Sequence, residues 1–514
     1  MTTGSDDAVT LAPDDEFNRQ LVEHVHPGGW TNPTPSGRYN LVVVGAGTAG
    51  LVTAAIAAGL GARVALVERH LMGGDCLNVG CVPSKGMIRA ARAWAAAAEA
   101  DTFGLTCPGG VRGDFGAAMT RMRRLRASIS HVDSAQRFTA LGVDVFFGSA
   151  RFTGADTIDV AGRTLTFRRA AICTGARAAA PPIPGLKDAG YLTNETVFSL
   201  TERPRRLAVI GAGPIGCELA QAFARFGSEV TLVERIDHIL PREDPDAAAV
   251  VQAQMVRDGV RFAFEASVTG VTTRGADKVV SYSCGDVACE LAVDEILVGV
   301  GRAPNVEGLG LDAAGVAHDR TGVTVDAWLQ TSRPSIYAAG DICFPFKFTH
   351  TADAMAQIVV QNALFPHPFG LGRASTDSLI IPWCTYTEPE IAHVGMYEQT
   401  ARAAGIAYET FTQPFSEVDR AILDGEDAGF ARVHVKKGTD EILGATIVAA
   451  HAGDLISEVS VAMKANAGLS TIGATIHPYP TQAEALRRVA NLMRKSRFSA
   501  RQKSILGRWF RWTR

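Results

Sequence analysis

The chain has 514 residues, 47% of them hydrophobic, enough for about three domains of roughly 150 residues each, so general disorder is excluded. Its formal charge of -3 hides an asymmetry: residues 1 to 484 hold 40 basic against 53 acidic, and the ten basic residues after Glu484 meet no acid. So acidic a body excludes a nucleic-acid footprint over the main domains, and no nucleic-acid partner is expected. Along the chain, residues 1–37 read as an N-terminal extension. Asp6, Asp7, Asp14, Asp15 and Glu16 leave no positive or apolar run for a signal peptide. Nine cysteines, an odd number in no dense framework, also fit a reducing cytoplasm better than a disulfide-stapled exterior. The segment Trp30-Thr-Asn-Pro either covers part of a site or docks the N-terminus. Leu41 to Ala62 is 22 uncharged residues, long enough to span a bilayer. Its five glycines argue instead for a buried strand, a glycine turn and an Ala-rich helix.

Two such units occur. Tyr39 to Val44 leads into GAGTAG, with Glu68 ending the next strand; Arg206 to Ile210 leads into GAGPIG, with Glu234 ending its next strand. Gly45 and Gly47, like Gly211 and Gly213, would make the tight turn and admit a pyrophosphate, while Gly50 and Gly216 let helix and strand pack. The helix N-terminus favours phosphate, and the acid holds a ribose hydroxyl. Two full units 166 residues apart imply two dinucleotides on one chain. The predicted class is α/β, with two Rossmann-like dinucleotide-binding domains. A helical stretch is expected from Pro83 to Ser134, short strands up to 170–176, and a Pro-rich linker at 178–185. Strand-rich residues follow the second unit to about 300, then VGVGRAPN and the buried strand SIYAAGDI at 335–342. From Ile381, alternating strands and an apolar helix, Asp454 to Asn466, mark a C-terminal α+β domain.

Just after Glu68 stands GGDCLNVGCVPSK, with four residues between Cys76 and Cys81 and a helix predicted to begin near Pro83. A helix N-terminus stabilises a thiolate, so Cys81 can carry negative charge beside an electron-poor ring. Two buried cysteines, or half of a metal site, are the plain alternatives. A four-cysteine zinc site needs a second close pair, and Cys107, Cys173, Cys217, Cys284, Cys289, Cys343 and Cys384 supply none at CxxC spacing. A redox-active pair is expected, with no resident metal.

With these motifs, the sequence resembles the flavoprotein disulfide reductases, the class I pyridine nucleotide-disulfide oxidoreductases that include glutathione reductase, dihydrolipoamide dehydrogenase and mercuric reductase. The resemblance runs from Tyr39 to about Arg488 through GAGTAG, CLNVGCVPSK, CTGA, GAGPIGCELA, GRAPN, AAGDI and HPYPTQAE. It implies FAD on the first unit, NAD(P)H on the second, and a homodimer in which the C-terminal domain of one subunit closes the disulfide site of the other. The implied domains are 38–190 and 306–380 for FAD, 191–305 for NAD(P), 381–490 for dimerisation and 491–514 as a basic aromatic tail. Cys81 becomes the flavin-facing thiol and Cys76 the one that meets substrate. Lys85 and Glu218 match an ion pair beside the flavin, with an ordinary helix-surface salt bridge as the alternative. Thr174 and Gly175 fall in the CTGA motif and Gly301 in GRAPN. Asp341 matches an FAD-binding aspartate, while Thr349 and His350 match the segment along the flavin, His350 otherwise being packing. For the second dinucleotide NADH is expected, since Glu234 would accept from a ribose hydroxyl and repel a 2′-phosphate. The adjoining Arg235 keeps NADPH open.

The terminal motif departs from the dithiol enzymes, where HPTxxE supplies a His base oriented by a Glu. Here Tyr479 holds the base position ahead of Glu484, and His477 is displaced by two residues, about 6.6 Å on an extended segment. A phenol with a pKa near ~10 is a poor base at neutral pH. Tyrosine at this place resembles mercuric reductase, whose soft metal ion needs no thiol deprotonated in the chemical step. An N-terminal CxxC module and terminal vicinal cysteines are missing, however, the last cysteine being Cys384. The expected enzyme is therefore mercuric reductase-like, passing electrons to Hg(II), another soft metal ion, a reactive sulfur or chlorine species or a small disulfide. The alternatives are a dihydrolipoamide dehydrogenase-type reductase and a membrane-associated redox sensor without steady turnover, against which the intact nicotinamide unit argues. Arg494 to Arg514 combines basic residues with Phe498, Ile505, Leu506, Trp509, Phe510 and Trp512, the composition of a membrane-surface segment. Packing on the acidic body and a solvated end are the alternatives. The location is thus cytoplasmic, peripheral to the inner face of the membrane if the tail binds it.

Overall fold

The acidic N-terminal segment folds as a helix that the sequence reading did not anticipate, α1 (Glu16–Val25). Asp15 caps it by accepting from the Asn18 amide at 2.8 Å. Trp30 Nε1 then donates to the Val145 carbonyl at 3.2 Å, and Asn32 exchanges two 2.7 Å bonds with the Phe147 backbone. These contacts dock the N-terminal segment on the first sheet. The computed structural model describes residues 9–106 and 112–514, so Asp6, Asp7 and Cys107 lie outside the described residues.

The apolar run Leu41 to Ala62 divides as its glycines require, into β1 (Arg38–Val44) and α2 (Thr48–Gly59). β2 (Val64–Glu68) follows, then α3 (Cys81–Ala98), α4 (Phe115–Ser130) and β3 (Val143–Phe147). The expected helical stretch is thus two helices, and the first begins at Cys81 itself. β4 (Ala150–Phe152), β5 (Thr157–Val160) and β6 (Arg163–Ile172) complete the strands of this part. β1 lies between β2 and β6 in parallel, within the order β3-β2-β1-β6-β5-β4. Leu41, Val42 and Val43 are fully buried, the near-continuous apolar run of a strand covered on both faces.

The second glycine unit repeats the plan with β7 (Arg206–Ile210), α5 (Pro214–Arg225) and β8 (Glu229–Val233). β9 (Glu295–Val298) pairs with β7 in parallel on the side away from β8. β10 (Ile336–Ala338) returns to the first sheet beside β6, and α6 (Thr349–Leu364) follows it.

Two units divide the chain: Met1–Arg235 with Glu265–Leu379, and Ile236–Phe264 with Ile380–Arg514. The second contains β11 (Pro382–Thr385), β12 (Glu390–Gly395), β13 (Tyr408–Pro414), β14 (Phe430–Lys436) and β15 (Ile442–Ala449), an antiparallel sheet ordered β11-β12-β15-β14-β13. α7 (Ala452–Lys464) and α8 (Glu484–Ser496) supply Val459, Leu486 and Val489 to a core shared with Val433 and Ile447. The basic tail is a helix, α9 (Ala500–Trp512), none of whose residues is buried. No helix among the described residues is long and apolar enough to cross a membrane.

Candidate dithiol redox site

Each glycine turn is built for close backbone approach. A Cβ on Gly50 would lie 1.8 Å from the Gly45 carbonyl oxygen, and one on Gly216 would lie 2.0 Å from that of Gly211. Gly45 and Gly211 take φ of 102° and 101°, which side-chain-bearing residues rarely adopt. Gly47 and Gly213 cap α2 and α5 with no side-chain hydrogen bond, leaving the helix amides to a ligand's phosphate. Glu68 Oε2 accepts from the Ala46 amide at 2.7 Å, and Glu234 Oε2 accepts from the Ala212 amide at 2.6 Å. Both carboxylates are thereby held at the turn, and burial pushes that of Glu68 upward in pKa. The other Glu234 oxygen accepts from the Arg235 amide at 2.6 Å.

Cys76 lies in a short helix, Gly74–Asn78, and Cys81 is the first residue of α3. Both are free thiols, Cys81 exposed and Cys76 half-buried. The Cys81 sulfur stands 3.4 Å from Thr349 Oγ1 at the start of α6. A hydrogen bond from the Cys76 thiol, with help from Thr349 and the Lys85 ammonium, outweighs burial and Glu218 and brings the Cys81 pKa down to about 6. The same hydrogen bond and burial push Cys76 up. The pair is therefore polarised, with the charge on Cys81, as an uncapped helix N-terminus favours. By contrast, burial pushes Cys173 up to about 12, and Cys217 is fully enclosed.

Lys85, one turn further along α3, donates to Glu218 Oε2 on α5 at 2.8 Å. The Glu218 side chain is 7% exposed, so this is no ordinary surface salt bridge. Thr174 Oγ1 donates to the Asn305 carbonyl at 2.9 Å, and Asn305 Nδ2 returns a 2.8 Å bond to the Thr174 carbonyl. Gly175 accepts from the Asn305 amide at 3.0 Å, while Gly301 has φ of 129° and open space at its Cβ position. Asp341 pairs with Arg302 at 3.4 Å, and burial raises its pKa. Arg302 also binds Asp75, the neighbour of Cys76. The sequence reading missed Arg302, Asn305 and Asp75, although the first two stand inside the GRAPN motif from which only Gly301 was taken. His350 is exposed and stacks on Phe348 with centroids 5.3 Å apart.

Tyr479 and Glu484 belong to the second unit. The Tyr479 hydroxyl donates to Asp419 Oδ2 at 2.9 Å, which pushes its pKa further up. Glu484 is buried and bound by Arg487 at 2.5 Å and Arg488 at 3.5 Å. The His477 side chain is paired at 2.9 Å with Glu458. Among the described residues, no hydrogen bond joins Glu484 to either ring.

Paired glycine turns and a polarised dithiol at a helix start define a dinucleotide-dependent redox protein. Residues 39–357 match the family profile described as pyridine nucleotide-disulphide oxidoreductase, and residues 381–490 match that of its dimerisation domain. A mercuric reductase of Staphylococcus aureus is 34% identical over 455 residues, 88% of this chain and 82% of the relative. A dihydrolipoyl dehydrogenase of Thermus scotoductus is 35% identical over 469 residues, 89% of this chain and 98% of the relative. Among solved structures, the Cu(II) complex of the HOCl-induced flavoprotein disulfide reductase RclA from Escherichia coli superposes with a TM-score of 0.78 at 29% identity, over 87% of this chain and 98% of that one. The chain belongs to the pyridine nucleotide-disulphide oxidoreductases, the FAD-dependent flavoprotein disulfide reductases that take electrons from NAD(P)H. Its dimerisation domain supports a homodimer.

Proposed function

We propose that this oxidoreductase oxidises NADH and delivers two electrons through Cys81 and Cys76 to a soft metal ion such as Hg(II), or to a small oxidised sulfur compound. The first glycine turn, where Gly45 and Gly50 leave no room for a Cβ, and the uncapped start of α2 fit FAD, with residues 38–190 and 306–380 holding it and 191–305 holding the nicotinamide dinucleotide. FAD, when bound, supplies the step between hydride and thiol chemistry. Gly45, Gly47 and Gly50 admit its pyrophosphate and Glu68 a ribose, while Asp341, Thr174, Gly175, Thr349 and His350 line the remainder. Gly211, Gly213, Gly216 and Gly301 serve the second dinucleotide, and Glu234 favours NADH over NADPH.

Cys81 holds the thiolate that Lys85, Thr349 and the α3 N-terminus stabilise, and Cys76 is the sulfur offered to substrate. Lys85 is kept in place by the buried Glu218. The observation that carries the choice of acceptor is the state of the acid–base end. The Tyr479 phenol is tied to Asp419 and His477 to Glu458, so the rings that would deprotonate a thiol substrate are committed elsewhere, while Glu484 is held by Arg487 through Oε1 and leaves its buried Oε2 without a hydrogen bond. A soft metal ion makes no such demand. Tyr479 stays exposed at this end of the second unit and Glu484 buried. The dimer is cytoplasmic, and its basic tail contacts the inner face of the membrane.

The two acceptor classes differ in product and rate. Reduction of thiol-complexed Hg(II) by NADH takes up one proton and yields NAD⁺, Hg(0) and two thiols; reduction of a disulfide also takes up one proton and yields NAD⁺ and two thiols. Anaerobic NADH oxidation by the FAD-loaded protein, with thiol-complexed Hg(II) or oxidised lipoamide in weak buffer and Cys76→Ala as control, tests the reading. Turnover with Hg(II) and release of Hg(0), both lost in the variant, are expected. Brisk lipoamide turnover would overturn it and favour the dihydrolipoamide dehydrogenase-type reading, with the His477–Glu458 pair as base.

A further inference from the structure

α9 separates its residues by chemistry. At about 100° per residue, Trp512, Ile505, Trp509, Leu506 and Phe510 cover one arc of roughly 160°, while Lys503, Arg511, Ser504, Arg508 and Arg501 take the remainder, with Arg501 and Arg508 bordering Ile505 and Trp512 and Gln502 lying within the apolar arc. The five apolar residues are between 39% and 77% exposed, and the Trp509 and Trp512 rings lie 5.2 Å apart. A two-sided cap makes the helix a defined element: Ser499 Oγ accepts from the Gln502 amide at 3.2 Å, and the Gln502 side chain accepts from the Ser499 amide at 2.7 Å. At its root lies a cavity of about 370 Å³, lined by Arg494, Arg497, Asn491, Ser470 and Gln502 with Phe498 on its apolar side. Arg494 is exposed and donates to the neutral Asn491 amide oxygen at 2.5 Å. Arg497 donates to Glu409 at 3.1 Å.

We propose that residues 494–514 form an anchor for anionic phospholipid, with α9 lying in the membrane interface and the Arg494 cavity taking a lipid headgroup phosphate. The proposal rests on the reading of the tail as a membrane-surface segment and adds the lipid class and the headgroup site. Charge complementarity carries it: this stretch has basic residues, no acid, and an aromatic face exposed on the same helix. Trp and Phe suit the boundary between headgroups and acyl chains, and basic side chains pair with phosphates above it. The cavity, lined by Ala474, Ala490 and Met493 as well as by its polar residues, opens where α8 gives way to α9, so a phosphate held by Arg494 adjoins the apolar face that receives the lipid's chains.

The test is flotation of the full FAD-loaded chain with vesicles of phosphatidylglycerol mixed into phosphatidylcholine, or of phosphatidylcholine alone. Binding on the order of tenfold tighter to the anionic vesicles is expected, with a blue shift of tryptophan emission. Trp509→Ser with Phe510→Ser should abolish flotation without changing flavin content or NADH oxidation. Arg494→Gln should lower only the preference for anionic lipid. Equal binding to both vesicles, or an unchanged preference in Arg494→Gln, would overturn the headgroup site while leaving membrane contact standing. No flotation at all would overturn both. Higher oligomers that dissociate in the Trp509 and Phe510 variant would assign the face to a second copy of the chain instead.

Discussion

The neighbourhoods of Cys81 and of Tyr479 differ in how much of their chemistry is assembled. Around Cys81, a proton-sharing thiol, a threonine hydroxyl, an ammonium and a helix N-terminus all act on one sulfur, and a buried carboxylate fixes the ammonium. Around Tyr479, each titratable group has a partner that draws it away from the others: Asp419 for the phenol, two arginines for Glu484, Glu458 for His477. On the proposed reading, electron delivery and proton delivery are separable parts of this fold. A thiolate formed near neutral pH reduces its acceptor without a base, provided that the acceptor brings no proton to remove.

The comparison breaks most sharply at the dithiol itself. Cys76→Ala is expected to lower metal-ion turnover by roughly a thousandfold or more, measured as anaerobic NADH consumption, whereas changes around Tyr479 should not approach this. Next in size is Gly50→Ala. Its Cβ would meet the Gly45 carbonyl oxygen at 1.8 Å, so the turn must open, at about 1–3 kcal/mol. The expected outcome is protein purified largely without yellow flavin colour and with a lower Tm; full flavin occupancy would refute the close packing of turn and helix.

Lys85→Met sharpens the electrostatic half of the comparison. Removing the cation takes from the buried Glu218 the ammonium that donates to it, which should destabilise the protein by about 2 kcal/mol, toward the low end for a buried pair because the lysine is partly exposed. It also removes the attraction that stabilises the Cys81 thiolate. In the parent, iodoacetamide labelling of Cys81 should fall as pH drops through about 6, because protonation removes the nucleophile. In the variant that midpoint should move upward by roughly one unit. An unmoved midpoint would mean that Thr349 and the helix end suffice.

Much of this first region was legible in the sequence, because its chemistry is local. Cys76, Cys81 and Lys85 lie within ten residues of one another, and the glycine spacing encodes its own close contacts. The partners that the chain brings from afar were not legible. Nothing in the GRAPN motif announces that Arg302 reaches both Asp341 and Asp75, since the pairing depends on how separate strands converge. Spacing sets Tyr479 in the place of the dithiol enzymes' histidine but does not reveal Asp419, 60 residues upstream. The Ser499-to-Gln502 capping box, by contrast, is a local signal that the sequence carries in full.

The smallest expected effect is the most discriminating. Tyr479→Phe removes the hydroxyl that donates to Asp419 and leaves the ring, 70% exposed in the parent. Were the phenol a working base, its loss would cost roughly 10²- to 10⁴-fold. Because the Asp419 hydrogen bond raises its pKa above the ordinary phenol value, the hydroxyl stays protonated at neutral pH and cannot accept a proton from a thiol. Hg(II) turnover should therefore change by less than about threefold, far below the range for a general base, with no new pH dependence. A hundredfold loss confined to disulfide substrates would show that Tyr479 leaves Asp419 in the working enzyme, and would join the two regions into one proton-coupled site.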